Sequence, residues 1–240
     1  MLHICIMLTP KFWKKYFLVY DHLNKLIPYK KLLQEICNDA KIKKGDKILD
    51  LGSGTGNLSI MADELRADTV GIDFSKEGIE IHKTKRSSAK IIYLDISNRL
   101  PFLDNYFDAV ISNNVLYSIP RIKRKSIFKE LYRITKPNGY VVISNIVEEF
   151  SPFKIYVGHV KEYVDKFGVI MAIKQLTTLI IPTLKIFYYN FIISYENRHG
   201  MYDFFVNKEQ KNMLELAGFK YVSCDKFVYC DQAILNYAVK

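Results

Sequence analysis

A glycine-rich turn near residue 50 is the part of this chain whose residue types most directly indicate chemistry. The apolar run Lys47–Leu51 leads into Gly52-Ser53-Gly54-Thr55-Gly56, and a helical pattern begins at Asn57. Glycines let a ligand approach the backbone closely, and backbone amides at the start of a helix attract polar or anionic groups. The turn therefore predicts a ligand-binding loop between a strand and a helix.

Acidic residues close the apolar runs around this turn. Asp50 lies two residues before the first glycine, Asp73 follows the run Thr69–Ile72, and Asp95 ends a third run. An acid at the end of the second strand of such a unit can accept hydrogen bonds from both hydroxyls of a ribose. We therefore expect a nucleoside with Asp73 on its ribose. Asp50 either contacts the ligand or braces the turn, and Asp95 either contacts the ligand or is a plain turn residue.

The spacing of the glycines distinguishes between classes of nucleoside. In the dinucleotide fingerprint G-x-G-x-x-G the third glycine is at the sixth position, which is Asn57 here. The glycine comes one place earlier, at Gly56, and this arrangement resembles motif I of class I S-adenosylmethionine-dependent methyltransferases. A nicotinamide oxidoreductase is accordingly disfavoured.

The resemblance to these methyltransferases, and to their quinone-biosynthesis-like type 11 group, continues beyond the turn. Val70–Ser75 resembles the second motif of the family, and Asp95–Phe102 resembles the stretch that follows its third strand. Glu130–Gly139 is similar to the family signature E-x-x-R-x-L-K-P-G-G, from which Thr135 and Asn138 depart at an expected helix end. The resemblance implies an enzyme whose cofactor is S-adenosylmethionine.

The same resemblance implies a set of cofactor-binding residues on the glycine turn and at the ends of the strands. These are Asp50, Gly52, Ser53, Gly54, Gly56, Asp73, Phe74, Asp95, Ile96 and Asn113. Since the methyl group of the cofactor is already activated, the protein has to supply binding and alignment for in-line displacement. A general base is needed only if the acceptor atom carries a proton at neutral pH.

Tyr20, His159 and His199 are the candidates for that base. Tyr20-Asp21 resembles a dipeptide found before motif I in quinone-biosynthesis and phospholipid methyltransferases. His159 and His199 belong to a segment that often covers the substrate in this family. Only location selects them, so the interpretation of each as a core or surface residue is favoured. Further candidates on the same grounds are Tyr16, His22, Tyr117 and Tyr202.

Apolar periodicity indicates the elements that position these residues. Short apolar runs alternate with helical patterns, which predicts an α/β fold with a Rossmann-like, seven-stranded, mostly parallel sheet, an antiparallel last strand and helices on both faces. The predicted strands are 47–51, 69–73, 90–95, 107–112, 140–145, 220–224 and 233–238.

The chain reads as a single methyltransferase domain over residues 1–240. Its predicted parts are an N-terminal helical cap (1–44), the cofactor-binding core (45–149), an apolar helical insertion (150–206), and a last helix with two strands (207–240). The insertion is expected to act as a lid. Its aromatic and apolar residues are consistent with a lipid or quinone pocket, with contact to a membrane surface, or with a plain helical cap.

Composition limits the class of protein. Of 240 residues 49% are hydrophobic, so the chain can bury a full core. Its four cysteines form no C-x-x-C pair, so we expect reduced thiols, no metal site and a cytoplasmic location, peripheral to the membrane if the insertion contacts it.

The N-terminus lacks the features of a signal peptide. Charged and polar residues interrupt the apolar stretch Val169–Tyr195, so no spanning helix is predicted.

The formal net charge of +10 attracts anions, although scattered lysines are equally explained by compositional bias. The leading hypothesis is methyl transfer to a small, lipophilic acceptor such as a quinone precursor or a lipid, with an anionic membrane as a second partner. The alternatives are an RNA methyltransferase and a non-catalytic cofactor-binding protein. Nucleic acid is disfavoured because no RNA-binding module or arginine-rich patch accompanies the domain.

Overall fold

The computed structural model describes residues 10–197 and 202–240. Its eight strands are β1 (Lys47–Leu51), β2 (Asp68–Asp73), β3 (Lys90–Tyr93), β4 (Phe107–Asn113), β5 (Thr135–Ile146), β6 (Tyr221–Val222), β7 (Lys226–Val228) and β8 (Ala233–Val239). They form a sheet in the order β3-β2-β1-β4-β5-β8-β6, and β7 also pairs with β8. Strands β1 to β5 are parallel and β8 is antiparallel to β5, which confirms the predicted Rossmann-like α/β fold.

Eight α-helices accompany the sheet within the described residues. They are α1 (Pro10–Tyr20), α2 (Ile27–Asp39), α3 (Asn57–Glu64), α4 (Lys76–Lys85), α5 (Arg121–Ile134), α6 (Pro152–Phe167), α7 (Val169–Asn197) and α8 (Glu209–Ala217). Pro28 lies in the first turn of α2, where a missing backbone N–H costs nothing.

The helices cover both faces of the sheet. Successive side chains of a strand point to opposite faces, so each central strand contributes to two buried clusters. On β1, Ile48 belongs to a cluster with α2 and α3, whereas Leu49 and Leu51 belong to a cluster with α5 and α8. Such double-sided burial explains why the parallel strands are almost continuously apolar.

The chain reverses its direction across the sheet between β1 and β4. It runs outward from β1 to β2 and β3, and then crosses to β4 on the other side of β1. Ligands of such sheets bind outside the carboxyl ends of the strands at this reversal. Leu51, Asp73 and Asn113 end β1, β2 and β4, so the predicted site residues meet at that edge.

The C-terminal part of the sheet differs from the prediction of two strands. Within the predicted strand 220–224 only Tyr221–Val222 is extended, and Lys226–Val228 forms an additional strand. The sheet therefore has eight strands instead of seven. Because β8 is longer than either segment, it pairs with both of them, Tyr221 opposite Val239 and Lys226 opposite Leu235.

Strand β5 also begins earlier than predicted, at Thr135 instead of Tyr140. Thr135 pairs with Phe107, and the register then shifts before Tyr140 pairs with Ala109. The Pro137–Gly139 segment, near the expected helix end, lies within this irregular first part of the strand. The preceding helix, α5, ends at Ile134.

The insertion consists of α6 and α7, and its two ends are held beside β5. The side-chain amide of Asn145 donates to Gln210 Oε1 at 2.7 Å, and Gln210 Nε2 donates to Asn236 Oδ1 at 2.9 Å. All three side chains are buried. We call these residues the clamp, since they join β5, α8 and β8 at the point where the insertion leaves and rejoins the sheet.

Helix α7 is long and apolar. Among the described helices it alone passes a test of length and composition for a membrane span, over Val169–Tyr195 with a mean hydropathy of 1.5. Only 11% of its most apolar window is buried. Core helices of other proteins can have the same length and composition.

Candidate functional site

The glycine turn adopts a backbone conformation that L-residues rarely take. Gly52, Gly54 and Gly56 have φ values of 78°, 49° and 82°, all left-handed. The amides of Gly52 and Ser53 both donate to the carbonyl oxygen of Ile72, at 2.8 and 2.9 Å. These bonds fix the turn against the end of β2, where Asp73 follows.

The three glycines serve different purposes. A Cβ on Gly52 would collide with Val115, and one on Gly56 would collide with the ring of His82. A Cβ on Gly54 would meet only Asp73 Oδ2, at 4.0 Å. Gly52 and Gly54 line the cavity described below, whereas Gly56 does not and begins α3 instead. Gly54 is therefore the turn residue whose missing side chain leaves room for a ligand.

Asp73 is held by the turn that it faces. Its Oδ2 accepts from the Gly54 amide and its Oδ1 from the Ser75 amide, both at 2.7 Å. Burial raises the pKa of Asp73, and the backbone amides partly offset that effect. Each oxygen keeps a lone pair for another donor. The carboxylate is thus oriented and can accept two hydroxyl groups from a ligand in the cavity.

Asp50 lies deeper, at the end of β1. It is buried, and the Ser59 hydroxyl donates to its Oδ2 at 2.6 Å. Burial raises the pKa of Asp50 to about 7, so near neutral pH the carboxyl is partly protonated. It lines the cavity and also ties β1 to α3, so the structure is compatible with both interpretations of this residue.

The loops after β2 and β3 line the cavity beside the glycine turn. We call the turn and these loops the cofactor end. Asp95 Oδ1 accepts from the Ser97 amide at 2.8 Å, and this bond lowers the pKa of Asp95. Ile96 is buried, and the ring of Phe74 is stacked on Tyr93 with 5.2 Å between centroids. Asp95, Ile96 and Phe74 all line the cavity, where they offer a polar edge and apolar surface to a planar base.

Three buried polar atoms of the cavity lining have no partner within the described residues. They are the hydroxyl of Ser53, Oδ1 of Asn113 and Oδ1 of Asn114. A buried polar group without a partner costs about 1–3 kcal/mol. Such atoms indicate that a polar ligand completes the site.

The cavity has a volume of about 1030 Å³ and a second, aromatic wall. This wall comes from α1, α2, α6, α7, the segment before α8 and the loops after β4 and β7. Its tyrosines are Tyr16, Tyr20, Tyr29, Tyr117, Tyr156, Tyr202 and Tyr229. A nucleoside cofactor and a second, largely apolar molecule therefore have room beside each other.

Tyr20 and Tyr117 of this wall are hydrogen-bond donors rather than bases. The hydroxyls of Tyr20 and Tyr29 are 3.4 Å apart, and the Asn57 amide donates to Tyr29 at 3.4 Å. Burial raises the pKa of Tyr20 well above its usual value and that of Tyr117 to about 12. Both phenols stay protonated at neutral pH.

The structure does not bring the three predicted catalytic residues together in one site. Tyr20 lies on the aromatic wall. His159 is buried away from the cavity; its Nδ1 accepts from the Ile27 amide at 3.1 Å, and its Nε2 donates to Gln175 Oε1 at 3.0 Å. Both ring nitrogens are thus used in joining α6 to α2 and α7, which favours a structural role. His199 lies outside the described residues.

Two polar residues of the wall are not apparent from the sequence. Glu148 follows β5 at its carboxyl end, and Asn190 lies on α7; both line the cavity. The position of Glu148 after a parallel strand is a signal that could have identified it. Nothing in the sequence around Asn190 distinguishes it from a surface residue of a long helix.

His82, whose ring lies against Gly56, makes the stability of the protein depend on pH. Burial lowers the pKa of His82 to about 4, and both ring nitrogens lack partners in the described residues. The unfolded chain binds a proton near pH 6.5, so stability from the neutral ring is present above that pH and is lost as pH falls toward 4. Relative to His82→Met, the wild type should lose up to about 3 kcal/mol of unfolding free energy between pH 7.5 and pH 4.5.

Urea denaturation of both proteins across this pH range measures the difference. Comparison with the variant cancels the titration of other buried groups, including Asp50. A difference that does not change with pH would show that His82 is not held neutral by its surroundings.

Known proteins resemble the chain in sequence. Residues 42–218 match the family model described as Methyltransferase domain. The demethylmenaquinone methyltransferase of Staphylococcus epidermidis is 32% identical over 164 residues, which cover 64% of this chain and 67% of that protein. The protein of the same name from Oceanobacillus iheyensis is 29% identical over 218 residues, which cover 87% of this chain and 85% of that protein.

Solved structures resemble the chain in fold. The TehB-like SAM-dependent methyltransferase of Corynebacterium glutamicum has a TM-score of 0.64 at 16% identity and covers 97% of this chain and 100% of its own. A SAM-dependent methyltransferase of Archaeoglobus fulgidus has a TM-score of 0.60 at 14% identity, with 92% and 99% covered. At such identities the likeness establishes the fold alone.

Proposed function

The chain belongs to the methyltransferase domain family and is an S-adenosylmethionine-dependent methyltransferase, and on this premise we propose that its acceptor is a hydroxylated aromatic ring with an apolar tail, such as a quinol. The observation that carries the proposal is that one cavity contains both the glycine turn and a wall of aromatic side chains. The relatives named demethylmenaquinone methyltransferase support the same class of acceptor.

The residues at the glycine turn fit the cofactor. Asp73 would accept the two ribose hydroxyls, and Asp95 with Ile96 would border the base. The unpartnered atoms of Ser53 and Asn113 would meet polar groups of the methionine part. When bound, S-adenosylmethionine supplies a methyl group on a positively charged sulfur, so no further activation of that group is required.

The aromatic wall would hold the acceptor. Flat rings and an apolar tail gain by burial against aromatic surface. The protonated hydroxyls of Tyr20 and Tyr117 would donate hydrogen bonds to ring oxygens and so fix the orientation of the ring toward the cofactor. Alignment of this kind is the main contribution that a protein makes to a displacement by an activated group.

Glu148 is the candidate proton acceptor. A ring carbon or hydroxyl that gains a methyl group must lose a proton. The buried phenols cannot take it at neutral pH, and no histidine lines the cavity within the described residues. Among the cavity-lining carboxylates Glu148 lies on the acceptor side, after β5, since Asp50, Asp73, Glu77 and Asp95 lie at the cofactor end.

The assignment is tested by following the methyl group. Purified protein is incubated with methyl-labelled S-adenosylmethionine and either a short-chain naphthoquinol or whole-cell extract. Products are then partitioned between organic solvent, RNA and small aqueous molecules. We expect label in the organic phase and transfer to the quinol. Label in RNA or only in the aqueous fraction would reject the lipophilic acceptor.

Tyr20→Phe should lower kcat/KM for the quinol about 3- to 10-fold, because one hydrogen bond to the acceptor contributes about 1 kcal/mol. Affinity for S-adenosylhomocysteine should not change, since Tyr20 belongs to the aromatic wall and not to the cofactor end. Tyr132→Phe is a matched control, because Tyr132 packs against Phe219 at another part of the molecule. Equal effects of both changes would remove Tyr20 from the acceptor site.

A further inference from the structure

Helix α7 exposes more apolar surface than is usual for a surface helix. Its inner face lines the cavity with three polar and three apolar residues, Thr183, Asn190, Ser194, Ile186, Phe187 and Ile193. Its outer face carries large apolar side chains that are 50–82% exposed. We call these residues the outer strip: Ile170, Ile173, Ile180, Ile181, Leu184, Tyr188 and Phe191.

The outer strip is continuous along the helix. At about 100° per residue, its seven members fall within about 100° of the circumference over six turns. Thr177 is the one polar side chain within this arc. Monomeric proteins rarely expose a contiguous apolar surface of this kind without a function in binding.

Positive charge lies along one edge of the strip. Lys174 and Lys185 are exposed and follow one edge of the arc. Helices α1, α6 and α7 together carry eight lysines against three acidic residues. An apolar face bordered by lysines is the arrangement of a helix that lies in the interface of an anionic bilayer, with its apolar face among the acyl chains.

The sheet topology excludes a transmembrane position for α7. The helix connects β5 and α6 on one side with α8 and β8 on the other. Strand β8 pairs with β5 over seven residue pairs, from Tyr140–Val239 to Ile146–Ala233. Both ends of α7 must therefore be on the same side of a membrane, which allows the helix to lie along the surface but not to cross.

We propose that α7 is a membrane-docking helix, whose outer strip inserts into the surface of a bilayer with anionic headgroups. The inner face of the same helix is a wall of the cavity, so docking places the cavity directly above the bilayer. Docking gives an acceptor with an apolar tail a route from the bilayer along α7 into the cavity. Only this route rests on the proposed function; docking itself does not.

Vesicle co-sedimentation tests docking without any acceptor, so its result is independent of the acceptor assignment. The vesicles consist of phosphatidylcholine with or without phosphatidylglycerol. The test variant changes Ile180, Leu184 and Phe191 to serine. The control variant changes Leu103, Ile122 and Leu216 to serine; these side chains are 75–90% exposed and lie outside the outer strip.

We expect the wild type and the control to bind phosphatidylglycerol vesicles, and the outer-strip variant to bind at least about tenfold more weakly. Binding should decrease when ionic strength rises from about 0.05 M to about 0.5 M. Unchanged affinity of the outer-strip variant for S-adenosylhomocysteine would establish that it is folded.

Three results would overturn the proposal. The first is no binding of the wild type at low salt, and the second is equal binding of the wild type and the outer-strip variant. The third comes from sedimentation velocity: a wild-type dimer that the outer-strip variant converts to a monomer would mean that a second copy covers the strip.

Discussion

Asp73→Ala is expected to lower the affinity for S-adenosylhomocysteine by about 100-fold or more at pH 8. The change removes two hydrogen bonds from ribose hydroxyls to a charged acceptor, each of which contributes about 1.5–3 kcal/mol. It also releases the Gly54 amide, which donates to Asp73 Oδ2 at 2.7 Å, so the turn itself becomes less fixed. Calorimetric titration measures the effect directly.

Asp68→Ala is the matched control, because Asp68 begins the same strand, β2, at its opposite end. It is exposed and forms an ion pair with Lys90. Its removal should leave cofactor affinity unchanged. If Asp73→Ala binds S-adenosylhomocysteine as tightly as the control, the ribose does not lie at Asp73 and the cofactor is oriented differently.

Gly54→Val is expected to abolish detectable cofactor binding in a protein that remains folded. The Cβ would project into open space beside Asp73, which is where the ribose is expected. A φ of 49° costs a β-branched residue about 1–2 kcal/mol, which a domain of this size can tolerate. The loss of binding therefore arises from the volume of the valine side chain in the cavity.

Gly45→Val separates these two effects. Gly45 also has a left-handed φ, of 87°, and a Cβ there would meet nothing within 4 Å, but it lies in the turn before β1 and not in the cavity. The two variants should have similar melting temperatures, and only Gly54→Val should fail to bind. A Gly54→Val protein that binds normally would contradict the role of this glycine.

The sequence was sufficient for the central sheet because its elements are locally determined. Strands β1, β2 and β4 are short apolar runs with buried residues on both faces, and the helices between the strands have a clear apolar periodicity. The C-terminal strands are different. Tyr221–Val222 and Lys226–Val228 are too short to show a pattern, and they are extended because β8 supplies hydrogen bonds to both. Tertiary pairing of this kind is not visible in local sequence.

The predicted cofactor-binding residues come together in the structure, because the topology of the sheet determines their positions. The predicted catalytic residues do not come together. Except for Gly56, every predicted cofactor-binding residue lines the cavity, because the carboxyl ends of parallel strands meet at one edge. His159 was selected by its segment alone. Its ring points toward the packing of α6 against α2, and the rotation of a helix about its axis in an insertion cannot be derived from composition.

The tyrosines of the aromatic wall could not be identified as a group from the sequence. Tyr20, Tyr29, Tyr117 and Tyr229 are distant in sequence and come together only because α1, α2 and the loops after β4 and β7 converge over the carboxyl edge of the sheet. In a chain with 17 tyrosines, no spacing rule separates these residues from the others.

Because the clamp of Asn145, Gln210 and Asn236 fixes both ends of the insertion, the insertion can be replaced as a unit during evolution. Its buried hydrogen bonds hold the two ends of the insertion together whatever lies between them. Closing a longer segment between fixed ends costs only about 0.6 kcal/mol for each doubling of its length. Recombination or drift can therefore replace α6 and α7, and with them one wall of the cavity, while the glycine turn and Asp73 are inherited unchanged. A fold built in this way can acquire new acceptors without rebuilding its cofactor site.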